Sequence, residues 1–251
     1  DAMKVKTSGE IYDGYLDGFD EAAQELDVGI TYIPNVENTM GDLFIRLLEN
    51  EISKSKGVIF CSLAELDDVT FTFLQNYDLP IVLLNRVVDK PGISYVSVDY
   101  YGATYHMVSE LIKKGCKKIM YVENEPKLEI LNTIRVEAYQ RALKDKGMEI
   151  DEKLICRNRD INSISSIISE YYDPVSKDLG IYSNANNSLQ VLKKVLGPTG
   201  LEMGKDLKVT GGEYLENYER IDFNLVDTVQ FPYSQAAYYA LKALDLLVTN
   251  P

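Results

Sequence analysis

Long hydrophobic runs and an excess of positive charge are both missing from this sequence. No apolar stretch comes near the roughly 20 residues that a membrane-spanning helix needs, and the N-terminus has no apolar run flanked by basic residues that would indicate a secretory signal. The 26 lysines and arginines are outnumbered by 39 aspartates and glutamates, which gives a net charge of −13. Because phosphate groups are bound by basic surfaces, this composition argues against direct contact of the segment with DNA or an anionic membrane.

Cysteine and histidine are too scarce for most metal centres and catalytic triads. The three cysteines, Cys61, Cys116 and Cys156, are far apart and lack CxxC spacing, which argues against a disulfide framework or a zinc site and fits a reduced, cytoplasmic setting. The single histidine, His106, lies inside a predicted helix and not at a strand end. No P-loop and no GxGxxG follows a strand. We therefore predict no catalytic site, no metal and no cofactor.

Strands and helices alternate along almost the whole chain. Apolar residues at spacings of three and four predict an amphipathic helix over 11–26. Short apolar runs, typical of buried parallel strands, and helical patterns follow one another, with strands predicted at 30–33, 57–61, 80–84, 118–122, 154–156, 180–183 and 207–210, and helices at 43–48, 69–77, 101–114, 134–146, 163–172 and 188–196. A weaker strand is predicted at 3–7. Two successive series of this kind imply two doubly wound parallel sheets or one large one.

Polar side chains are frequent directly after the predicted strands. In open parallel sheets, ligands bind beyond the carboxyl ends of the strands. The residues at these positions include Asn35, Ser62, Asn85, Arg86, Asp99, Tyr100, Asn124, Arg159, Asp160, 183–187 and 212–214. Such donors and acceptors predict a polar ligand held by directional hydrogen bonds.

Several segments occur in a characteristic order and spacing over some 130 residues. They are VDYYGA at 98–103, ELIKKGCKKI at 110–119, RVEAYQRAL at 135–143, LKVTGGE at 207–213 and DTVQFP at 227–232. Together they resemble the lactose-repressor/galactose-repressor (LacI/GalR) family of bacterial transcription regulators. The resemblance extends from about Tyr12 to Leu247.

The resemblance implies an α/β fold of the periplasmic binding protein-like type I class. Two doubly wound parallel-sheet lobes would be joined by crossover strands, with a ligand cleft between them. The N-terminal lobe would comprise 1–116 plus 231–251, and the C-terminal lobe 117–230. The family's DNA-binding head is absent from this chain, and the end at Pro251 precedes the family's usual last crossing, so we expect a truncated C-terminus. Operator DNA would be contacted only through that head, by a homodimer.

The resemblance also implies candidate effector-binding residues in the first half of the chain. Arg135 matches an effector-contacting arginine of the family, and its other interpretation is a surface arginine. Asp99 matches a family aspartate and either contacts ligand or caps the following helix. Tyr100 stands where asparagine is usual and suggests a stacking surface. Tyr12 and Tyr15 are the best further cleft candidates among the 18 tyrosines.

The remaining candidates depart from the family pattern or have an uncertain register. Glu213 stands where the family has an effector-binding aspartate, so the ligand geometry must differ. Phe231 stands where glutamine is common and either stacks on a ligand or plugs the hinge. Asn184 and Asn186 lie in an asparagine-rich strand end that binds ligand or forms an Asx turn. Arg86 points into the cleft or pins a loop.

These expectations favour a cytoplasmic sensor domain that binds a small polar effector, a sugar or related metabolite. The effector would control DNA binding allosterically. An extracytoplasmic sugar-binding protein of a transporter or sensor system is the main alternative, because the same fold serves both functions. An α/β enzyme is a more distant alternative, since no spacing singles out an acid/base pair among the carboxylates.

Overall fold

The computed structural model describes residues 9–33, 49–61, 79–88, 93–123, 129–157, 160–184, 186–213 and 225–250. The chain divides into two compact units, residues 1–98 with 232–251 and residues 99–231. The lobe boundary predicted after residue 116 differs from this division, because the helix at 100–113 packs on a helix and strands of the second unit.

Among its described residues, the first unit contains two long helices, a short helical segment at 49–52 and a parallel sheet of three strands in the order β1-β2-β3. Its elements are α1 (Gly9–Leu26), β1 (Val58–Cys61), β2 (Ile81–Leu84), β3 (Ser94–Val96) and the last helix of the chain, α6 (Tyr233–Thr249). α1 and α6 approach closely at Gly18, where a Cβ atom would lie 1.9 Å from the Ser234 carbonyl oxygen. Glycine is therefore required at position 18.

One strand predicted for the first unit is absent from the structure, and three other predicted elements lie outside the described residues. Residues 30–33 are described and belong to no strand, so the prediction of a strand there is wrong. Their side chains are partly or fully exposed, and Ile33 packs against the Ile52 cluster without belonging to a strand. The predicted strand at 3–7 and the predicted helices at 43–48 and 69–77 lie outside the described residues.

The second unit is a five-stranded parallel sheet in the order β5-β4-β6-β7-β8. The strands are β4 (Lys118–Val122), β5 (Ile155–Cys156), β6 (Leu179–Ser183), β7 (Lys208–Glu213) and β8 (Asp227–Val229). The helices are α2 (Tyr100–Lys113), α3 (Glu129–Asp145), α4 (Ile161–Tyr171) and α5 (Asn186–Leu196).

Helices cover both faces of this sheet. Successive strand side chains point to opposite faces, so Met120 and Val122 pack with residues of α4 and α5. Ile119 and Tyr121 pack on the other face with residues of α2 and α3. Burial on both faces explains why β4 and β6 are almost continuously apolar, as a doubly wound sheet requires.

Two of the three cysteines belong to these cores. Cys116 and Cys156 are buried, Cys61 is partly buried, and all three are free thiols. Burial raises the pKa of the Cys116 thiol to about 11. Among the helices described, none is both long and apolar enough to cross a membrane.

Candidate functional site

A small cavity lies in the second unit, at the carboxyl end of its sheet. Its volume is ~10 Å³, which is space for about one water molecule. α2, the strands β6 to β8 and the residues that follow them provide its walls. The lining residues are Tyr100, Ala103, Thr104, Met107, Arg135, Tyr182, Asn184, Gly211, Val229 and Phe231.

Arg135 brings a positive charge into this cavity. It lies in α3 and is only 6% exposed. Its Cζ atom lies over the Tyr100 ring, 4.6 Å from the ring centroid. Such a cation–π contact offsets part of the cost of removing the guanidinium from water. Within the part of the chain that the structure describes, Arg135 forms no hydrogen bond and no ion pair.

Tyr100 also contacts the second aromatic residue of the cavity. The Tyr100 and Phe231 rings meet edge to face, with centroids 5.1 Å apart and an interplanar angle of 62°. This geometry is favourable for aromatic pairs. Tyr100 is buried, whereas Phe231 is partly exposed. The two rings therefore form an apolar wall next to the Arg135 guanidinium.

Asn184 contributes a polar group at the end of β6. Its side chain is 6% exposed and its Nδ2 atom donates to the Tyr121 hydroxyl at 3.2 Å. Its backbone N–H donates to the Val122 carbonyl oxygen at 3.3 Å, which fixes the residue beside β4. The Asn184 Oδ1 atom is buried without a hydrogen-bond partner among the described residues, a costly arrangement unless a ligand supplies a donor.

Three buried tyrosines, Tyr121, Tyr139 and Tyr182, pack against one another next to the cavity. The Tyr182 hydroxyl is 2.8 Å from the Thr104 Oγ1 atom, so these two side chains satisfy one another. The Tyr139 hydroxyl donates to the Ile119 carbonyl oxygen at 2.7 Å, and the Tyr121 ring packs 5.6 Å from those of Tyr139 and Tyr182. Burial raises the pKa of Tyr121 well above its usual range, so it remains a neutral hydroxyl.

Gly211 allows two strands to approach one another at the cavity. Its φ of +112° lies in a region that side chains disfavour. A Cβ atom at this position would lie 1.8 Å from the Ser183 carbonyl oxygen. Because Ser183 and Gly211 pair directly between β6 and β7, any larger residue would separate the strand ends that carry the site.

Glu123 is a second buried charged residue at this end of the sheet. It directly follows β4, and its backbone carbonyl oxygen accepts from the Ser188 hydroxyl at 3.5 Å. Burial raises the pKa of its carboxyl group, while the charges of Arg157 and Arg135 lower it. Burial is the larger effect, which favours the neutral acid more than in an exposed glutamate.

Four of the predicted site residues line this one cavity: Tyr100, Arg135, Asn184 and Phe231. They come from a helix start, a second helix, and the ends of β6 and β8. The rings of Tyr100 and Phe231 contact one another at this cavity, and their stacking on a ligand stays a prediction.

Other predicted residues lie elsewhere. Asp99 caps α2, since its Oδ1 atom accepts from the Gly102 N–H at 2.7 Å, which is one of its two predicted interpretations. Tyr15 is a core residue of the first unit, and its ring meets that of Tyr233 edge to face at 5.5 Å. Arg86 follows β2 in the first unit and is partly buried.

Three predicted residues have side chains that lie outside the described part of the structure. Tyr12 is within α1, Asn186 begins α5 and Glu213 ends β7. The backbone of Glu213 pairs with Val229. Their roles in ligand binding stay predictions.

Sequence reasoning missed Thr104, Tyr182 and Glu123. Thr104 follows Tyr100 by one helical turn, so helical periodicity places both on one face. Glu123 directly follows β4, whose end at Val122 was predicted correctly, but Asn124, one residue later, was selected in its place. No signal in the sequence indicates the pairing of Thr104 with Tyr182 across 78 positions.

His106 does not belong to this site. Its side chain is 58% exposed and its Nε2 atom is 3.3 Å from the Asp227 Oδ2 atom. It is not among the residues that line the cavity. No group of histidine, cysteine and carboxylate side chains able to hold a metal ion occurs among the described residues.

Known sequences include relatives of this chain. The family model described as periplasmic binding proteins and sugar binding domain of LacI family matches residues 7–188. Catabolite control protein A of Priestia megaterium is 24% identical over 176 residues, which cover 68% of this chain and 52% of that protein. The chain thus spans about half the length of this curated relative.

Solved structures share the fold over nearly the whole chain. The transcription regulator CcpA of Lactococcus lactis has a TM-score of 0.75 at 22% identity, covering 96% of this chain and 87% of that one. A regulatory protein of the LacI family from Chloroflexus aggregans has a TM-score of 0.77 at 17% identity, covering 100% and 89%. The CelR–cellobiose complex has a TM-score of 0.74 at 19% identity, covering 96% and 73%. These matches confirm the predicted periplasmic-binding-protein-like fold class.

Proposed function

The chain belongs to the family of periplasmic binding proteins and LacI-type sugar-binding domains, and from this premise we propose that it is the effector-sensing domain of a transcription regulator. The effector is a small polar metabolite of the sugar class. The cavity of the second unit provides part of its binding site.

One observation carries this proposal. The Arg135 guanidinium and the Asn184 carboxamide are both buried in the same cavity. The Asn184 Oδ1 atom has no partner among the described residues. Buried polar groups are normally hydrogen-bonded, and groups without partners have a reason to be retained. A ligand that accepts from Arg135 and donates to Asn184 supplies that reason.

The binding site controls the regulator through differential affinity. An effector that binds one conformation of the domain more tightly than another shifts the population towards the first. Hydrogen bonds from Arg135 at α3 and Asn184 at the end of β6 make the affinity sensitive to the relative position of these elements. The roles of Arg86, Tyr12 and Tyr15 in ligand binding stay predictions.

The relatives favour a regulator over an extracytoplasmic binding protein. The curated relative is a catabolite control protein, and the structural neighbours described above are transcription regulators. One neighbour is a complex with cellobiose, which supports the sugar class. We accordingly propose a cytoplasmic homodimer that contacts operator DNA through a separate head, and a domain without enzymatic activity.

A thermal-shift screen of the purified chain tests this function. The panel contains neutral sugars, sugar phosphates, sugar acids and nucleobases. A ligand that binds only the folded state raises the free energy of unfolding by mass action, by about 2.7 kcal/mol at a concentration 100 times Kd. The unfolding midpoint rises as a result. We expect at least one compound of the sugar class to raise the midpoint, and Arg135→Ala to abolish that shift.

Arg141→Ala is the matched control. Arg141 lies in the same helix as Arg135, but it is exposed and its Nε atom pairs with the Asp145 Oδ1 atom at 2.9 Å. The shift should survive in Arg141→Ala. A shift that persists undiminished in Arg135→Ala contradicts the placement of the site. A panel in which no compound moves the midpoint contradicts the proposed sensor function.

A further inference from the structure

The chain passes between its two units at two places, and an aromatic residue lies at each of them. The first crossing is between Val98 and Asp99, just before Tyr100, and the second is between Phe231 and Pro232. We propose that the Tyr100 and Phe231 rings form an aromatic clamp, which pins the second crossing segment to α2 and limits movement of the units against each other. This inference goes beyond the proposed function and concerns the ligand-free chain.

Both crossing segments are short. β3 ends at Val96 and α2 begins at Tyr100, whereas β8 ends at Val229 and α6 begins at Tyr233. Only residues 97–99 and 230–232 can therefore change backbone direction without disturbing a strand or a helix. Hinge movements are absorbed by a few residues at the ends of elements, so these two segments control how the units move.

α2 gives Tyr100 a fixed position in the second unit. Tyr100 is 4% exposed. One turn further along α2, the Thr104 Oγ1 atom is 2.8 Å from the Tyr182 hydroxyl of β6. The Met107 carbonyl oxygen of α2 accepts from the Thr210 hydroxyl of β7 at 3.2 Å. Because buried and satisfied hydrogen bonds hold a helix in one position on its sheet, the Tyr100 ring is a firm support.

The second crossing segment leaves a weaker support. β8 is a strand of three partly buried residues, and among the described strands it pairs with β7 alone. Its pairing is irregular between Thr210 and Glu213. Phe231 follows two residues after this strand, and its ring meets the Tyr100 ring edge to face at 5.1 Å. The ring contact therefore attaches the segment to α2 directly, in addition to the attachment through β8.

The clamp confines the flexibility of the second segment to Phe231 and Pro232. The Pro232 ring restricts its own φ, which is −81°, and it restricts the backbone of Phe231 before it. The Pro232 carbonyl oxygen accepts from the Ala236 N–H at 2.9 Å, which ties the proline to α6. Without the ring contact, the backbone of Gln230 and Phe231 would also rotate. The clamp thus stiffens one of the two crossings.

The expected effect is moderate. Edge-to-face aromatic contacts favour the conformation that contains them by a factor of about 2–12, beyond the effect of buried area. Loss of the clamp should therefore raise the population of other arrangements of the units by about the same factor. Phe231 is partly exposed, so its replacement should leave both units folded, which circular dichroism can verify.

Double electron–electron resonance on the ligand-free chain tests the clamp. Spin labels on Lys56→Cys in the first unit and Lys144→Cys in the second report the distribution of distances between the units, and both lysines are exposed. The native thiols are buried or partly buried. Burial raises the pKa of Cys61 and of Cys116, so these thiols should react slowly with the label. The chain without engineered cysteines controls for their labelling.

We expect a narrow distance distribution for the labelled chain with its clamp intact. Phe231→Leu and Tyr100→Leu should each raise the share of other distances by about 2–12-fold. The double variant should match the single variants, because all three lose the same contact. Phe231→Leu is the cleaner change, since Tyr100 also lies beneath the Arg135 guanidinium. Tyr100→Phe keeps the ring and should keep the narrow distribution.

Tyr239→Leu is the matched control. The Tyr238 and Tyr239 rings also meet edge to face, with centroids 5.3 Å apart, but both residues lie within α6 and not in a crossing segment. This variant should leave the distribution unchanged.

Four results would overturn the clamp. They are a broad distribution in the chain with the clamp intact, an unchanged distribution in Phe231→Leu, an equal broadening in Tyr239→Leu, and effects of the two leucine variants at Tyr100 and Phe231 that add in the double variant. Each of these results leaves the proposed function standing, because that function is tested separately by ligand binding.

Discussion

A substitution at Arg135 should stabilise the ligand-free protein while it abolishes ligand binding. The side chain is 6% exposed and lies over the Tyr100 ring at 4.6 Å. Its charge has no ion-pair partner within the described residues. Arg135→Met keeps an unbranched side chain that can lie on the same ring and removes the buried charge. The perturbation therefore separates the packing of this side chain from its charge.

The expected magnitude follows from two opposing contributions. Loss of the cation–π contact costs about 0.5–2 kcal/mol. Removal of a buried charge without a partner recovers an effective desolvation penalty of several kcal/mol. The net gain in the free energy of unfolding should be about 1–3 kcal/mol. For a chain of this size, each kcal/mol raises the thermal midpoint by about 2–4 °C.

Differential scanning calorimetry of the ligand-free protein measures this change. Arg141→Met on the same helix is the control, since its guanidinium is exposed and paired with Asp145, and its midpoint should move little. A lower midpoint for Arg135→Met would refute the reasoning. It would show that the charged Arg135 side chain stabilises the fold in the absence of a ligand.

Three further predictions concern the structure around the cavity. Gly211→Ala should lower the free energy of unfolding by at least about 3 kcal/mol, because its φ is +112° and the new Cβ would lie 1.8 Å from the Ser183 carbonyl oxygen; an unchanged urea midpoint would contradict this geometry. Tyr121→Phe should cost about 1–3 kcal/mol and weaken the effector, because it removes the acceptor of the Asn184 Nδ2 donor at 3.2 Å; equal affinity in calorimetry would show that Tyr121 does not position Asn184. The pKa of Cys116 is raised from 9.0 to about 11. Over that range the unfolded chain loses the thiol proton while the folded chain keeps it. The free energy of unfolding should therefore fall as pH rises from about 9 to about 11. Urea titrations across this range should show the decline, and Cys116→Ala should make it shallower; an identical slope in the variant would contradict the assignment.

The fold of the second unit could be predicted from the sequence because its strands are buried on both faces. Runs such as 118–122 and 180–183 have no polar alternation, and they appear in the structure as β4 and β6. The run at 30–33 is also largely apolar, but it forms no strand. Composition alone does not decide this, since a strand also needs a neighbouring strand with which to pair.

The boundary between the units could not be predicted from local sequence. The helix at 100–113 is amphipathic, and its pattern predicts that one face is buried. The pattern does not indicate which of the two sheets this face packs against. In the structure its Met107 and Leu111 pack with Tyr139 and Ile119 of the second unit. The assignment depends on tertiary packing, which periodicity does not encode.

The candidate site was partly predictable for a physical reason. Parallel strands end at one edge of the sheet, so Asn184 after β6 was selected by position alone, whereas Phe231 came from the family resemblance. Arg135 came from the family resemblance. Asp99 illustrates the limit, since a carboxylate before a helix suits a cap and a ligand equally well; the 2.7 Å contact with the Gly102 N–H shows the cap, and ligand contact stays a prediction.

The most direct test of the central claim is a crystal structure of the protein with the first compound that raises its thermal midpoint. Our account predicts ligand density at the carboxyl end of the second sheet, with an acceptor atom in hydrogen-bond distance of the Arg135 guanidinium and a donor near the Asn184 Oδ1 atom. Density at another surface, with the Arg135 and Asn184 side chains unchanged and without ligand contact, would contradict it.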